Sequence, residues 1–239
     1  MSWTITSQQK VTVDPYLSNV LVLLHGYGTN NSTTITDSSP STKTATAVGG
    51  AKIVTGIADP FGNTTRGVMS FTFASSSRIS LPKSSVWDLP GDFTIELWAN
   101  QGSISGLATM FEFGSTSNNV DNGVLMRPAT SDIYLPTTSN LFASSVQYTQ
   151  NLWIHWAIVR SGTAVNVYRN GASIASGTTS AVLTASGTSG AGTGGIFLGD
   201  SVHSPGRHWD GYISDLRITK GVARYTANFT PPTAPFPDI

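Results

Sequence analysis

The run Trp209-Asp210-Gly211-Tyr212-Ile213-Ser214-Asp215-Leu216-Arg217-Ile218-Thr219-Lys220-Gly221-Val222-Ala223-Arg224-Tyr225 decides the fold. An aromatic–Gly turn opens it. Tyr212, Ser214, Leu216 and Ile218 then point one way, and Ile213, Asp215, Arg217 and Thr219 point the other. A period of two predicts a strand with one packed face and one wetter face. The basic Gly221–Tyr225 tail leaves the sheet, and Phe229-Thr230-Pro231-Pro232 ends the pattern.

Upstream, the same grammar recurs. Val20 to Leu24 is a continuous apolar run closed by His25-Gly26, as in a strand buried on both faces. Phe71-Thr72-Phe73, Arg78 to Leu81, Phe93 to Ala99, Met110 to Gly114, Gly123 to Met126 and Ile133 to Leu135 read as further strands. Trp153 to Arg160 and Ala164 to Arg169 follow, and Asn170-Gly171 predicts a type I′ hairpin returning through Ala172 to Ala175. Ile196 to Gly199 precedes the closing strand. Residues 29–50 read as loop with short strands, and 177–195 as a Gly/Thr/Ser/Ala loop. Turn signals every 8–12 residues predict an all-β protein, a two-sheet antiparallel sandwich of jelly-roll type. Residues 1–13 read as an N-terminal arm or edge strand, and 14–239 as one domain.

Composition agrees. Charged residues make up 11% of the 239-residue chain, against a usual share of about 25%, so long charged surface helices have no material. Net charge is zero with no basic block, which removes the footprint of nucleic-acid binding. No run of about 18 apolar residues predicts a membrane span. There is no cysteine, so disulfides and thiolate metal sites are excluded. Met1 to Ile5 lacks the pattern of a Sec signal, which leaves a protein that stays in the cell or is released by lysis.

Three segments in order carry a resemblance. Gly91-Asp92-Phe93-Thr94-Ile95-Glu96-Leu97-Trp98 resembles the Gly-Asp-Phe-Thr-Ile-Glu-Ala-Trp strand of the concanavalin A-like, laminin G-type jelly roll. Trp153 to Arg160 with Val167 to Gly171 resembles its Trp-x-His-x-Ala-x-Val-Arg strand and Tyr-x-Asn-Gly hairpin. Ile196 to Gly199 with Trp209 to Ile218 resembles its closing pair, and Asp14 to Gly28 the opening segment found in tailed-phage virion proteins. The resemblance implies a non-enzymatic virion protein, either a tail-fibre or receptor-binding module or a capsid or tail decoration module. The partners it implies are a host cell-surface glycan, other virion proteins and further copies of the chain, as a trimer. A purely structural cement protein without a sugar site is the alternative. The fold alone settles none of these.

Candidate sites follow from side-chain chemistry. A glycan site needs an aromatic surface with hydrogen-bonding neighbours, which Trp98, Asp121, Asn122, His208 and Trp209 supply; Trp153 and Tyr134 are further aromatic candidates. Trp156 alternates with Ile154 and Ile158 and belongs to the core. Laminin G-type domains often hold calcium at the rim through Asp and backbone oxygens, which points to Asn119, Asp121 and Asp200 as metal ligands; His203, His208 and Asp210 crowd the same loop as Asp200. Glu96 and Glu112 are the only glutamates. Their apolar neighbours face inward, so both carboxylates point outward, and side by side they would suit a glycoside hydrolase. The opposing reading is an ion pair with Arg217 or Arg160 across adjacent strands. Leu23-Leu24-His25-Gly26-Tyr27-Gly28 is similar to a hydrolase oxyanion loop, but Gly187 to Ala191 supplies no nucleophile elbow, so His25 reads as the end of a strand.

Overall fold

A computed structural model describes residues 13–72, 76–103, 108–114, 124–127, 132–134, 149–184, 195–201 and 206–239. Helix among them is confined to two three-residue 3-10 turns, Leu17–Asn19 and Ser85–Trp87. Among the described residues, fifteen strands make two antiparallel sheets. The first eight are β1 (Val20–Leu24), β2 (Thr34–Ile35), β3 (Ala45–Val48), β4 (Lys52–Val54), β5 (Val68–Phe71), β6 (Arg78–Pro82), β7 (Phe93–Gln101) and β8 (Phe111–Phe113). Then come β9 (Val124–Arg127), β10 (Asp132–Tyr134), β11 (Trp153–Ser161), β12 (Ala164–Arg169), β13 (Ala172–Thr178), β14 (Gly195–Leu198) and β15 (Gly211–Lys220).

One sheet runs β13-β12-β11-β7-β15-β5-β4, with β1 added beside β15. β15 is long enough to take two neighbours on one edge, β5 against Gly211 to Ile213 and β1 against Leu216 to Thr219. The other sheet runs β10-β9-β8-β14-β6-β3-β2. The core lies between them and includes Ile95, Leu97, Phe111, Phe113, Trp156, Ile158, Leu198, Ile213, Leu216 and Ile218. Alternation in β7, β8 and β11 is as the sequence predicts, and Trp156 is in the core. The Asn170-Gly171 hairpin also holds, with φ of 48° and 76° at the two central residues, the positive pair that a type I′ turn requires.

β15 departs from the simple alternation. Ser214 stands opposite Trp98 and Arg217 opposite Glu96, so Asp215 and Leu216 together face Leu97. That extra residue is a β-bulge, and Asp215 carries it with φ of 48°. The bulge reverses the parity: Ile213 joins Leu216 and Ile218 inside, while Ser214 and Arg217 lie on the outer face. The outer face is not the wetter one either. Residues 221–239 cross it as a strap. Ala223, Tyr225 and Phe229 pack on Ala157, Val159 and Tyr168, and Phe236 packs on Leu17, Val20 and Leu23. The strap closes where Asp14 N–H donates to the Ile239 carbonyl at 2.9 Å.

Candidate functional site

The strap seals charged side chains against the eight-stranded sheet. Nε and Nη2 of Arg217 donate to Oε1 of Glu96 at 2.9 and 2.7 Å, the cross-strand pair expected from sequence. Oε2 accepts from the Tyr225 hydroxyl at 2.8 Å and lies 3.3 Å from Nε2 of His155. Arg217 Nη1 reaches Asp14 Oδ2 at 3.0 Å, and Arg224 donates to both oxygens of Asp14 at 3.0 and 2.8 Å. Arg160, the other cation considered, donates to the carbonyls of Gly162 and Ala181 instead.

Glu96 is 1% exposed. Burial pushes its carboxyl up, but Arg217 and His155 outweigh burial and hold it at about 2. Burial, with Glu96 beside it, pushes the Tyr225 hydroxyl well above the ordinary phenol range. A general acid needs a raised carboxyl and access to substrate; Glu96 has neither. Glu112 lies in β8 of the other sheet, between two core phenylalanines. The two glutamates therefore point away from opposite faces of the sandwich rather than sitting side by side. A core about 10 Å thick separates them by more than either spacing used by glycosidases, about 5–5.5 or 6.5–9.5 Å. Residue alternation gave the face correctly; the strand order, which assigns the sheet, is what the sequence did not disclose.

A second buried cluster centres on the bulge. Asp215 Oδ1 contacts Nδ1 of His25, and Ser214 donates its hydroxyl to the His25 carbonyl at 3.0 Å. Burial pushes the Asp215 carboxyl up. Tyr27 stacks on the imidazole with ring centres 4.7 Å apart, and the Arg66 guanidinium lies over Tyr27 while pairing with Asp59 at 2.8 Å. Sequence reasoning took His25 as a strand-ending turn and missed this pairing. Asp14, His155 and Arg224 were likewise missed, although buried charged residues in a chain with so few charges are the signal that could have singled them out.

The sugar-site residues separate. Trp98 points outward with Glu96, as expected, but the residue is only 9% exposed, its ring edge-on against Phe61 and His155. Trp209 is a correction: it is fully buried in the core, because the turn before β15 folds inward across the sandwich. Trp153 is half-buried and donates Nε1–H to the Ala58 carbonyl at 2.8 Å. His208 does meet Asp200, Nδ1 to Oδ1 at 3.1 Å, and its side chain is 16% exposed. Asp200 Oδ1 also accepts from Ser201 N–H at 2.8 Å; burial pushes its carboxyl up, against the opposing pull of His208 and Arg78. Its described neighbours are thus nitrogen donors rather than the oxygens calcium prefers. Asp210 accepts instead from the Ser103 hydroxyl at 2.8 Å. Asn119, Asp121, Asn122 and His203 lie outside the described residues, and among the described ones no group of three or more His, Asp or Glu is placed to hold a metal.

The outer face of the seven-stranded sheet is different in kind. Register aligns Glu112, Phe197, Ser80, Thr46 and Thr34 in one row across β8, β14, β6, β3 and β2. Burial falls along that row, from fully buried Glu112 to exposed Thr46 and Thr34. The less buried end of the row, Ser80, Thr46 and Thr34, is an uncharged hydroxyl-bearing surface, flanked by Arg78.

A family model described as the concanavalin A-like lectin/glucanases superfamily, of laminin G type, matches residues 73–224. The chain belongs to that superfamily. No curated protein matches it. Among solved structures, this superfamily member is similar to domain 4 of AbnA, a GH43 extracellular arabinanase from Geobacillus stearothermophilus, solved in complex with arabinotriose. The TM-score is 0.63 at 20% identity, over 86% of this chain and 95% of that one. It is also similar to the binding domain of Paraclostridial Mosquitocidal Protein 1, with TM-score 0.56 at 14% identity, over 86% of this chain. The botulinum neurotoxin serotype D binding domain gives 0.53 at 11%, over 87%. The chain spans 49% of each toxin domain. At these identities the likeness is one of fold. It supports the jelly-roll reading; among the described residues no helix is long and apolar enough to cross a membrane.

Proposed function

We propose that this chain is a non-enzymatic carbohydrate-binding module that takes a cell-surface glycan on the outer face of its seven-stranded sheet, beside the Asp200–His208 rim. The observation that carries the reading is the contrast between the two outer faces. One is sealed by the strap, with Glu96 held ionised beneath it. The other offers Ser80, Thr46 and Thr34 in register, with Thr46 and Thr34 exposed. Uncharged hydroxyl rows suit the many hydroxyls of a sugar, and the partly exposed His208 edge adds a polar contact at the rim. A virion setting, with a tail-fibre or decoration role, extends this proposal; the resemblance of Asp14 to Gly28 and the closing strand to tailed-phage virion proteins supports it, and release by lysis and assembly as a trimer would accompany it.

A glycan array with and without calcium tests the proposal, with arabino-oligosaccharides among the probes because a fold-mate was solved with one. The expected result is binding to at least one polysaccharide, abolished by Thr46→Arg and retained in Arg169→Ala on the other sheet. A blank array under both conditions would sink the sugar site and leave the purely structural decoration reading. Calcium-dependent binding would add a metal to the reading without locating it.

A further inference from the structure

The His25–Asp215 pair has no part in the proposed sugar site, yet it is built around a strained backbone position. Asp215 occupies a left-handed backbone conformation, φ 48°, in the strand that both β7 and β1 flank. For a non-glycine residue that conformation costs about 1–3 kcal/mol and persists where the surroundings enforce it. The bulge turns the Asp215 carboxylate onto Nδ1 of His25. The carboxylate is fully buried, and its second oxygen has no hydrogen-bond partner. A carboxylate on Nδ1 fixes the imidazole tautomer, so that the lone pair sits on Nε2. Nε2 in turn faces the strap, 4.0 Å from Oδ2 of Asp238, whose side chain is 55% exposed. Tyr27 stacked on the ring prevents it from turning away.

We propose that Nε2 of His25 and the carboxylate of Asp238 bind a divalent ion of the zinc class, with water in the remaining positions and Asp215 as the positioning residue behind the imidazole. Imidazole with carboxylate suits zinc, nickel or cobalt rather than calcium. Two ligands on one tetrahedral ion at 2.0–2.2 Å stand about 3.4 Å apart, so a small rotation of the exposed Asp238 closes the gap. The two carboxylates flanking one imidazole offset the charge of a divalent cation. Arg66, the nearby cation, is already paired with Asp59. The ion would join the end of β1 to the end of the strap.

Calorimetric titration of the full chain with zinc chloride tests the site, in a His208→Asn background that removes the Asp200–His208 pair as a competing ligand. The expected result is saturable one-to-one binding and a shift of the His25 ring resonances in the NMR spectrum. Asp238→Asn, at an exposed position, should weaken binding at least tenfold without changing the fold. Asp215→Asn should weaken it about 10–100-fold, the usual effect of losing a carboxylate behind a ligating histidine. Two outcomes overturn the proposal: no zinc uptake up to about 1 mM, or Asp238→Asn binding within twofold of its parent. Should Asp215→Asn fail to fold, the Asp238 comparison decides alone. Sugar binding plays no part in either readout.

Discussion

Replacing Arg217 by Met tests the sealed network most directly. The substitution keeps an apolar stem of similar length over Phe236, where the guanidinium carbon now sits 3.9 Å from the ring centre. It removes both hydrogen bonds to Oε1 of Glu96 and the link to Asp14. Breaking a buried pair from one side typically costs about 3–5 kcal/mol, because the remaining charge is buried without its partner. Proton linkage gives a similar figure. Moving the Glu96 carboxyl from its ordinary 4.5 to about 2 is worth about 3 kcal/mol at 1.36 kcal/mol per pKa unit. Because the folded value is depressed, this stability is fully present above pH 4.5 and is lost as pH falls from 4.5 toward 2. Urea unfolding at pH 7 should therefore show Arg217→Met destabilised by about 3–5 kcal/mol. The midpoint should fall by about 1–1.7 M, taking a slope near the upper end of 1–3 kcal/mol/M. Repeated between pH 2 and 5, the rise in stability with pH should be clear in the parent and flattened in the variant. Glu96→Gln added to Arg217→Met should recover part of the loss, since no unpaired charge then remains. A cost below about 1 kcal/mol, or an unchanged acid-side slope, refutes the reasoning.

Two further outcomes follow from particular contacts. At Gly171, with φ of 76°, a Cβ would sit 1.8 Å from the Phe229 carbonyl oxygen. Gly171→Ala should therefore lower stability by more than about 1 kcal/mol and speed hydrogen exchange in the strap around Phe229; unchanged exchange there would show that the strap does not rest on this turn. Asp200, whose carboxyl burial pushes up, contributes with the opposite sign to Glu96. Its contribution is full below the ordinary value of 3.8 and is lost as pH rises through the raised folded value. Asp200→Asn should remove that decline from melting curves taken between pH 3 and 6, and an identical pH profile would contradict it.

Much of the sandwich was legible because its strands speak in period two. β7, β8 and β11 place Leu97, Phe113 and Trp156 inward by alternation alone, and the Glu96–Arg217 pair followed from two outward-facing residues on strands expected to be neighbours. The bulge was not legible. Asp215 adopts a conformation usually left to glycine, and nothing in Ile-Ser-Asp-Leu signals an inserted residue. The strap was equally hidden. Tyr225, Phe229 and Phe236 are spaced by neither strand nor helix period, and prolines between them read as a tail. Their burial depends on a groove built from β1, β11 and β12, which no local window contains. The His25–Asp215 contact spans 190 positions and depends on both the bulge and the strap. Sequence reasoning also chose tryptophans for a sugar surface by chemistry alone, and Trp209 went to the core because burying a large ring stabilises a sandwich more than exposing it.

The hydrogen bond from Asp14 to Ile239 makes residues 14–239 a nearly closed circuit. Such a circuit can be reopened elsewhere. A linker of a few residues joining 239 to 14, with a new break at the exposed Gly162-Thr163 turn, would give a permuted chain in which β12 comes first and the strap becomes an internal crossover. The strap's grip on the sheet would then rest on chain connectivity at both of its ends.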